Sequence, residues 1–302
     1  MKKLAFIAAL VYGFAANAAE YTLIVPNPAG SSADVVARTV AEEYNQQTGN
    51  TLVIDYAPGG DHVIAASKFK SAAKLTAILG TTTMHVFNHV YKESIPYADS
   101  DFDHVGWIGW SPHVWYANPN SKFKTLSDVT AALSTDPTVF VAVDAFSTEI
   151  NAISVQKKFA NGNKLQQVKY KGSPQSMTDV IAGTVNVGIA SISELVVSNA
   201  QAGKIKLLAT THSKPLVIGG ETVPAAGKIL GVAQFDGGML ISVSPRPGDA
   251  EAAKLKSDIA RAISSPAVKE KLAKINITVD PKDGASTMKM LADYRVKVGD
   301  LK

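Results

Sequence analysis

The stretch "VPNPAGSSADVVART", residues 25–39, joins an apolar, β-forming run to a run with helical spacing through a turn of Pro, Gly and Ser. Gly30 lets the backbone approach a neighbour closely, and Ser31 or Ser32 is suited to capping the first turn of a helix. Ser31 with Asp34 fits the S-x-x-D form of a capping box, and Val36, Val40 and Tyr44 then recur every fourth residue. A helix that starts this way leaves its first N–H donors unpaired at the positive end of its dipole, where a carboxylate or phosphate is stabilised. Turns of this composition also serve as plain connections, so the stretch alone leaves an anion site and a structural turn both open.

Upstream, "MKKLAFIAALVYGFAANAAEYT" opens with Lys2 and Lys3, runs through apolar residues 4–16 and ends in the small-x-small triplet Ala16-Asn17-Ala18. That order is expected of a secretory signal peptide, residues 1–18, cleaved after Ala18. The apolar run is too short for a membrane anchor, which needs about 20 residues. The chain is therefore expected in the periplasm, folding from Ala19. Of its 302 residues none is cysteine, so no disulfide and no Cys-ligated metal site can form. The formal charge of +4 falls to +2 once Lys2 and Lys3 are removed, since no acidic residue precedes Glu20. The two signs are interspersed, which argues against a nucleic-acid or polybasic membrane partner. A soluble monomer is expected, and the length suffices for two domains.

Downstream, strand patterns over 21–25, 51–56 and 76–79 alternate with helical patterns over 34–47 and 62–73. The alternation returns with "TVFVAV", a helix over 149–159, "QQVKY", a helix over 175–182 and "VNVGIA". Two βαβ units with parallel sheets follow. Asn118-Pro119-Asn120 marks one crossing between them, and Gly237-Gly238 with Pro245 frames a second. The expected organisation is one domain of 19–118 plus 236–302 and a second of 119–235. Two helical segments come after the second crossing, an amphipathic one through Leu255, Ile259, Ala262 and Ile263 and a short one started at Pro266.

"YTLIVPNPAGSSADVVARTVAEEY" resembles the first βα unit of the solute receptors of tripartite tricarboxylate transporters. "YAPGG", "LGTTTMH", "IPYADSDFDHVGWIG", "YANPNSKFKTLSDV", "VKYKGSPQSMTDVIAGTVNVG", "KIKLLATTHSKP" and "SSPAVKEKLAKINI" resemble successive family segments in the family's order. The resemblance implies a type II-like periplasmic-binding-protein fold: two α/β domains joined by crossing strands, with a small carboxylate-bearing metabolite held in the cleft. It implies a transport receptor whose partners are that organic acid and the membrane subunits of the transporter, with no cofactor and no catalysis.

Carried over residue by residue, the resemblance assigns ligand binding in the first domain to Asn27, Ala29, Gly30, Ser31, Ser32 and Ala33, and to Thr81, Thr82, Thr83, Met84 and His85. Across the cleft it assigns Ser147 and Thr148, Lys171, Gly172 and Ser173, and Ala190 and Ser191. Asn27 stands where the family usually has an aromatic residue, Ser31 where it has Gly and Ala190 where many members have Asp, so the ligand's body is left open.

Other residues admit two readings. Trp107, Trp110 and Trp115 suit either a core or an aromatic ligand face. His85 and His89 have the i, i+4 spacing of a metal pair but lack the Glu of H-E-x-x-H, so no metal is expected. No G-x-S-x-G elbow occurs, which disfavours an exported hydrolase. A receptor reporting to a membrane sensor kinase is the other alternative, and sequence does not separate it from a transport receptor.

Overall fold

The computed structural model describes residues 18–301. All of the expected signal peptide except Ala18 lies outside the described residues. Within them, thirteen strands and eleven α-helices form two mixed sheets, a small hairpin and the helices around them. The first sheet contains β1 (Glu20–Val25), β2 (Thr51–Tyr56), β3 (Thr76–Thr81) and β4 (Asp103–Ser111). The second contains β5 (His113–Ala117), β6 (Val139–Val143), β7 (Leu165–Lys169), β8 (Val187–Ser191) and β9 (Lys206–Thr210). A hairpin of β10 (Leu216–Ile218) and β11 (Glu221–Val223) follows, and the chain then returns to the first sheet through β12 (Gly237–Val243) and β13 (Thr278–Asp283).

Strand order is β13-β4-β12-β3-β1-β2 in the first sheet and β7-β6-β8-β5-β9 in the second. β1 is parallel to β2 and β3, and β6 is parallel to β7 and β8. The strand arriving from the other half, β12 or β5, pairs antiparallel with its neighbours. Each parallel pair needs a crossover, supplied by α1 (Ser32–Thr48), α2 (Val63–Lys70), α5 (Phe146–Lys158) and α6 (Ser173–Ala182). The expected strand over 51–56 has the observed bounds, and the expected helices differ from these at their ends, where caps rather than periodicity decide.

β5 pairs within the second sheet, so the chain leaves the first sheet at Pro112, before the expected crossing at 118/119. We propose on this pairing that the units divide as 18–112 with 236–301, and 113–235. The remaining helices are α3 (Asn88–Tyr91), α4 (Leu126–Thr135), α7 (Glu194–Gln201), α8 (Ala226–Leu230), α9 (Ala250–Ser264), α10 (Pro266–Ala273) and α11 (Gly284–Gly299). The apolar stripes of α1, α9 and α10 pack on one face of the first sheet: Val36, Val40 and Tyr44 meet Leu255, Ile259 and Leu272. α11 lies beneath the hinge, where Leu291 and Val298 share a cluster with Phe87, Trp107, Phe146 and Ile150 from both halves. Two units built this way turn the carboxyl ends of their parallel strands towards each other, the place where open α/β sheets bind ligands.

Candidate functional site

Three helix starts face the space between the units, and each is built differently. At α1 the Ser31 side chain accepts from Asp34 N–H (3.3 Å) and donates to Pro28 O (2.7 Å). Asp34 in turn accepts from Gly30 N–H (2.8 Å) and pairs with Arg38 (2.7 Å) on the outer side. The N–H groups of Ser32 and Ala33 have no partner among the described residues. Ser31 is thus the cap, and the free donors begin one residue later.

Opposite α1, Asp144 directly follows β6, one residue before the cap of α5. Thr148 closes that helix start by accepting from Asp144 N–H (3.0 Å) and Ala145 N–H (3.2 Å). The Thr148 hydroxyl also lies 3.0 Å from Asp144 Oδ1, and Ser173, the first residue of α6, donates to Asp144 Oδ2. Burial raises the Asp144 carboxyl above its ordinary value, against the opposing Ser173 hydrogen bond and the nearby His113. Among the described residues no Lys or Arg forms an ion pair with it.

The cleft between these starts is lined from the first unit by Asn27, Ser31, Ser32, Ala33, Thr81 and Thr82, together with His62, Ser111 and Met239. From the second unit come Asp144, Ala145, Ser147, Ser173 and Ser191, and Gly237 and Gly238 line it at the returning strand. It is nearly shut, with a volume of about 30 Å³, which is about one water molecule's share of the liquid. Ser147 N–H reaches Thr83 Oγ1 across it (3.2 Å), and Pro28 sits against Gly172. The units must part to admit a solute.

His62 is 5 % exposed and hydrogen-bonds through Nδ1 to Thr81 Oγ1 (2.7 Å), while its Nε2 has no partner among the described residues. Thr81 Oγ1 already accepts from Met84 N–H (3.3 Å). In the tautomer in which the Thr81 hydroxyl donates to His62 Nδ1, the imidazole proton sits on Nε2 and is a donor. Burial pushes His62 down to about 4, so the ring is neutral near pH 7. His62 and Asp61 both lie in the left-handed backbone region (φ 70° and 52°), which non-glycine residues rarely adopt. Asn88 holds this turn by donating to Asp61 O (2.8 Å), and Lys92 pairs with the Asp61 carboxylate (2.9 Å). Ser111, also buried, has a hydroxyl on the same wall with no partner among the described residues.

The other residues singled out from the sequence lie elsewhere. Ala29 and Gly30 are exposed beside the turn, and Lys171 is exposed beyond the cleft. Met84 and His85 are fully buried behind the wall, His85 against Phe102 and His104. Thr148 supports Asp144 from below, and Ala190 packs into the second unit's core beside Val114 and Tyr116. Trp107 and Trp115 are buried core, with Trp107 behind Gly238. Flanking Ser147 and Thr148, Phe146 packs on Phe87 and Tyr91, and Glu149 pairs outward with Lys169 (2.8 Å).

Sequence reasoning missed His62, Ser111, Asp144 and Met239. Asp144 had a usable signal, since it directly follows the strand "TVFVAV" as 27–33 follows β1. His62 had none, because its place depends on a left-handed turn folding back onto β3. A larger groove of about 1000 Å³ lies on the hinge side, lined in part by Trp110, His212, Gln234 and Tyr294. His212 there is partnered by Asp236 (3.1 Å), whereas His62 and Ser111 in the cleft carry side-chain polar atoms without a partner among the described residues, which favours the cleft.

Comparison with known proteins bears on the family and the fold. Residues 36–301 match the family model described as the tripartite tricarboxylate transporter family receptor. A UPF0065 protein of Bordetella bronchiseptica is 28% identical over 193 residues, covering 63% of this chain and 57% of that protein. The chain thus matches a little over half the length of that relative. The fold is that of periplasmic binding proteins. The structure of Rpa4515 from R. palustris with adipate superposes with a TM-score of 0.82 at 21% identity, covering 93% of this chain and 95% of that one. MatC from Rhodopseudomonas palustris with bound malate gives 0.79 at 19% identity, covering 93% and 98%.

Proposed function

The chain belongs to the tripartite tricarboxylate transporter receptor family, and from that premise we propose that it is an exported, monomeric receptor that captures a small carboxylate between its two units without changing it. Delivery is to the membrane subunits of a tripartite tricarboxylate-type transporter. One observation carries the carboxylate reading: the free N–H groups of Ser32 and Ala33 at the start of a 17-residue helix face a cleft whose wall holds the unpartnered Nε2 of buried His62. Backbone donors at the positive end of a helix, with a neutral imidazole N–H beside them, hold one carboxylate without a guanidinium clamp. Adipate and malate in the two solved relatives are carboxylates of the expected size class.

Of the residues assigned by resemblance, we propose that Ser32 and Ala33 bind directly, with Asn27, Ser31, Thr81, Thr82, Ser147, Ser173 and Ser191 forming the walls. Thr83 and Gly172 act in closure, and His62 and Ser111 are added as donors. A thermal-shift screen of mono-, di- and tricarboxylates, amino acids and aromatic acids tests the reading. A true ligand at a hundredfold excess over Kd adds about 2.7 kcal/mol, and mass spectrometry should recover it unchanged. Shifts from neutral sugars or amines and none from any carboxylate would sink the proposal.

A further inference from the structure

Accepting the carboxylate reading above, on which this inference rests, the second unit presents an unusual counterpart. The starts of α5 and α6 converge, as they would to hold a second anion, but that position is already filled by the protein's own carboxylate. Asp144 leaves β6 beside the cap of α5, its Oδ2 takes the hydroxyl of the first residue of α6, and its Oδ1 lies 3.0 Å from the Thr148 hydroxyl. The side chain lines the cleft opposite Ser31, Ser32 and Ala33. Its partners are hydroxyls, with no Lys or Arg ion pair among the described residues, and burial lowers the pKa of the His113 imidazole near it.

We propose that Asp144 makes the cleft selective for a ligand carrying one carboxylate and, at its other end, an ammonium group, and that it excludes plain dicarboxylates. The carboxylate end lies against Ser32, Ala33 and His62, and the ammonium end donates to Asp144. A second carboxylate placed there would meet a like charge in a site with little water, where repulsion is weakly screened. An ammonium supplies the positive charge that a buried carboxylate without a basic partner lacks. Burial raises the Asp144 carboxyl's pKa in the closed cleft, and a cationic ligand would reverse that shift.

Calorimetry on the mature protein with chain-matched pairs decides the matter: 3-aminopropanoate against succinate, 4-aminobutanoate against glutarate, and 5-aminopentanoate against adipate. The expected result is that at least one amino acid binds ~10-fold or more tightly than its partner, the discrimination associated with one hydrogen bond to a charged group. Asp144→Asn, checked by circular dichroism, should erase that preference and bring the dicarboxylate up to comparable affinity. Should Asp144→Asn fail to fold, Asp144→Ser is measured instead, and the wild-type preference stands as a test in its own right. Dicarboxylates binding wild type as well as their amino partners would overturn the inference and leave the carboxylate reading intact. An amino-acid preference unchanged in a folded variant would remove Asp144 from the role. Binding of no carboxylate probe of either kind would overturn both readings.

Discussion

Ser31 and Ser32 are adjacent and chemically identical, yet the fold gives them different work. Ser31 spends its hydroxyl on the turn and the cap, and its N–H points back to Pro28 O at 3.4 Å. Ser32 is the first helical residue and its N–H is free. Pro at a first helical position is well tolerated because that N–H takes no part in the helix, and Ser31 already has the extended backbone that a following Pro requires (φ −78°, ψ 164°). We expect Ser32→Pro to fold normally and to weaken carboxylate binding by roughly ten- to a hundredfold, the worth of a hydrogen bond to a charged group. Ser32→Ala should bind far closer to wild type. Ser31→Ala should instead cost about 1 kcal/mol of stability through the lost cap. Calorimetry paired with urea unfolding separates these outcomes, and full affinity in Ser32→Pro would show that the α1 start does not hold the ligand.

Among the elements, the turn between β7 and α6 meets the β1–α1 turn across the cleft. Gly172 is extended (φ 175°), a conformation open to any residue, so backbone freedom does not explain it. The reason is across the cleft: a Cβ at Gly172 would stand 2.4 Å from Pro28 Cγ and 2.7 Å from its Cδ. No real contact is that short, so a side chain there wedges the turn away from the β1–α1 turn. Gly172→Ala is expected to leave each unit folded but to weaken ligand binding, with overpacking worth about 1–3 kcal/mol, or roughly five- to a hundredfold. Adding Pro28→Ala, which removes the colliding ring, should restore most of the affinity. Small-angle scattering should show the ligand-induced compaction of wild type lost in Gly172→Ala and regained in the pair. Equal affinity and equal compaction in all three would show that this contact does not limit closure.

The whole molecule carries a pH dependence set by buried imidazoles. His62 and His104 are both pushed down to about 4 by burial, and His85, buried beside His104, lies well below the ordinary range. Unfolded, these rings titrate near 6.5. Their folded-state values are depressed, so the stability they allow is fully present above about 6.5 and is lost as pH falls towards 4, where the unfolded chain binds protons that the native state refuses. For His62 and His104 the loss is about 3 kcal/mol each by pH 4. The urea midpoint should therefore drop steadily between pH 7 and pH 4.5, and His104→Gln should reduce the slope. A midpoint flat across that range would contradict the burial of these rings.

Much of this architecture is legible in the amino-acid sequence. The alternation of period-2 and helical patterns reveals the two α/β units, and the S-x-x-D turn marks the start of α1, because propensity, periodicity and capping act within a few residues of chain. The resemblance points to the loops at the strand ends, and several of their residues do line the cleft. Tertiary structure alone decided the rest. Which of two neighbouring serines has a free donor depends on where Pro28 O lies. That Gly172 must be glycine depends on the ring of Pro28, far earlier in the sequence. In the division we propose, the crossing falls at Pro112 because β5 finds its partners in the second sheet, and not at the Asn-Pro turn after it. Asp144, His62 and Ser111 meet in one cleft only because strand ends far apart in the chain are brought face to face. Contacts of that kind leave no local pattern, since their free energy comes from packing across the two units and not from the chain beside them.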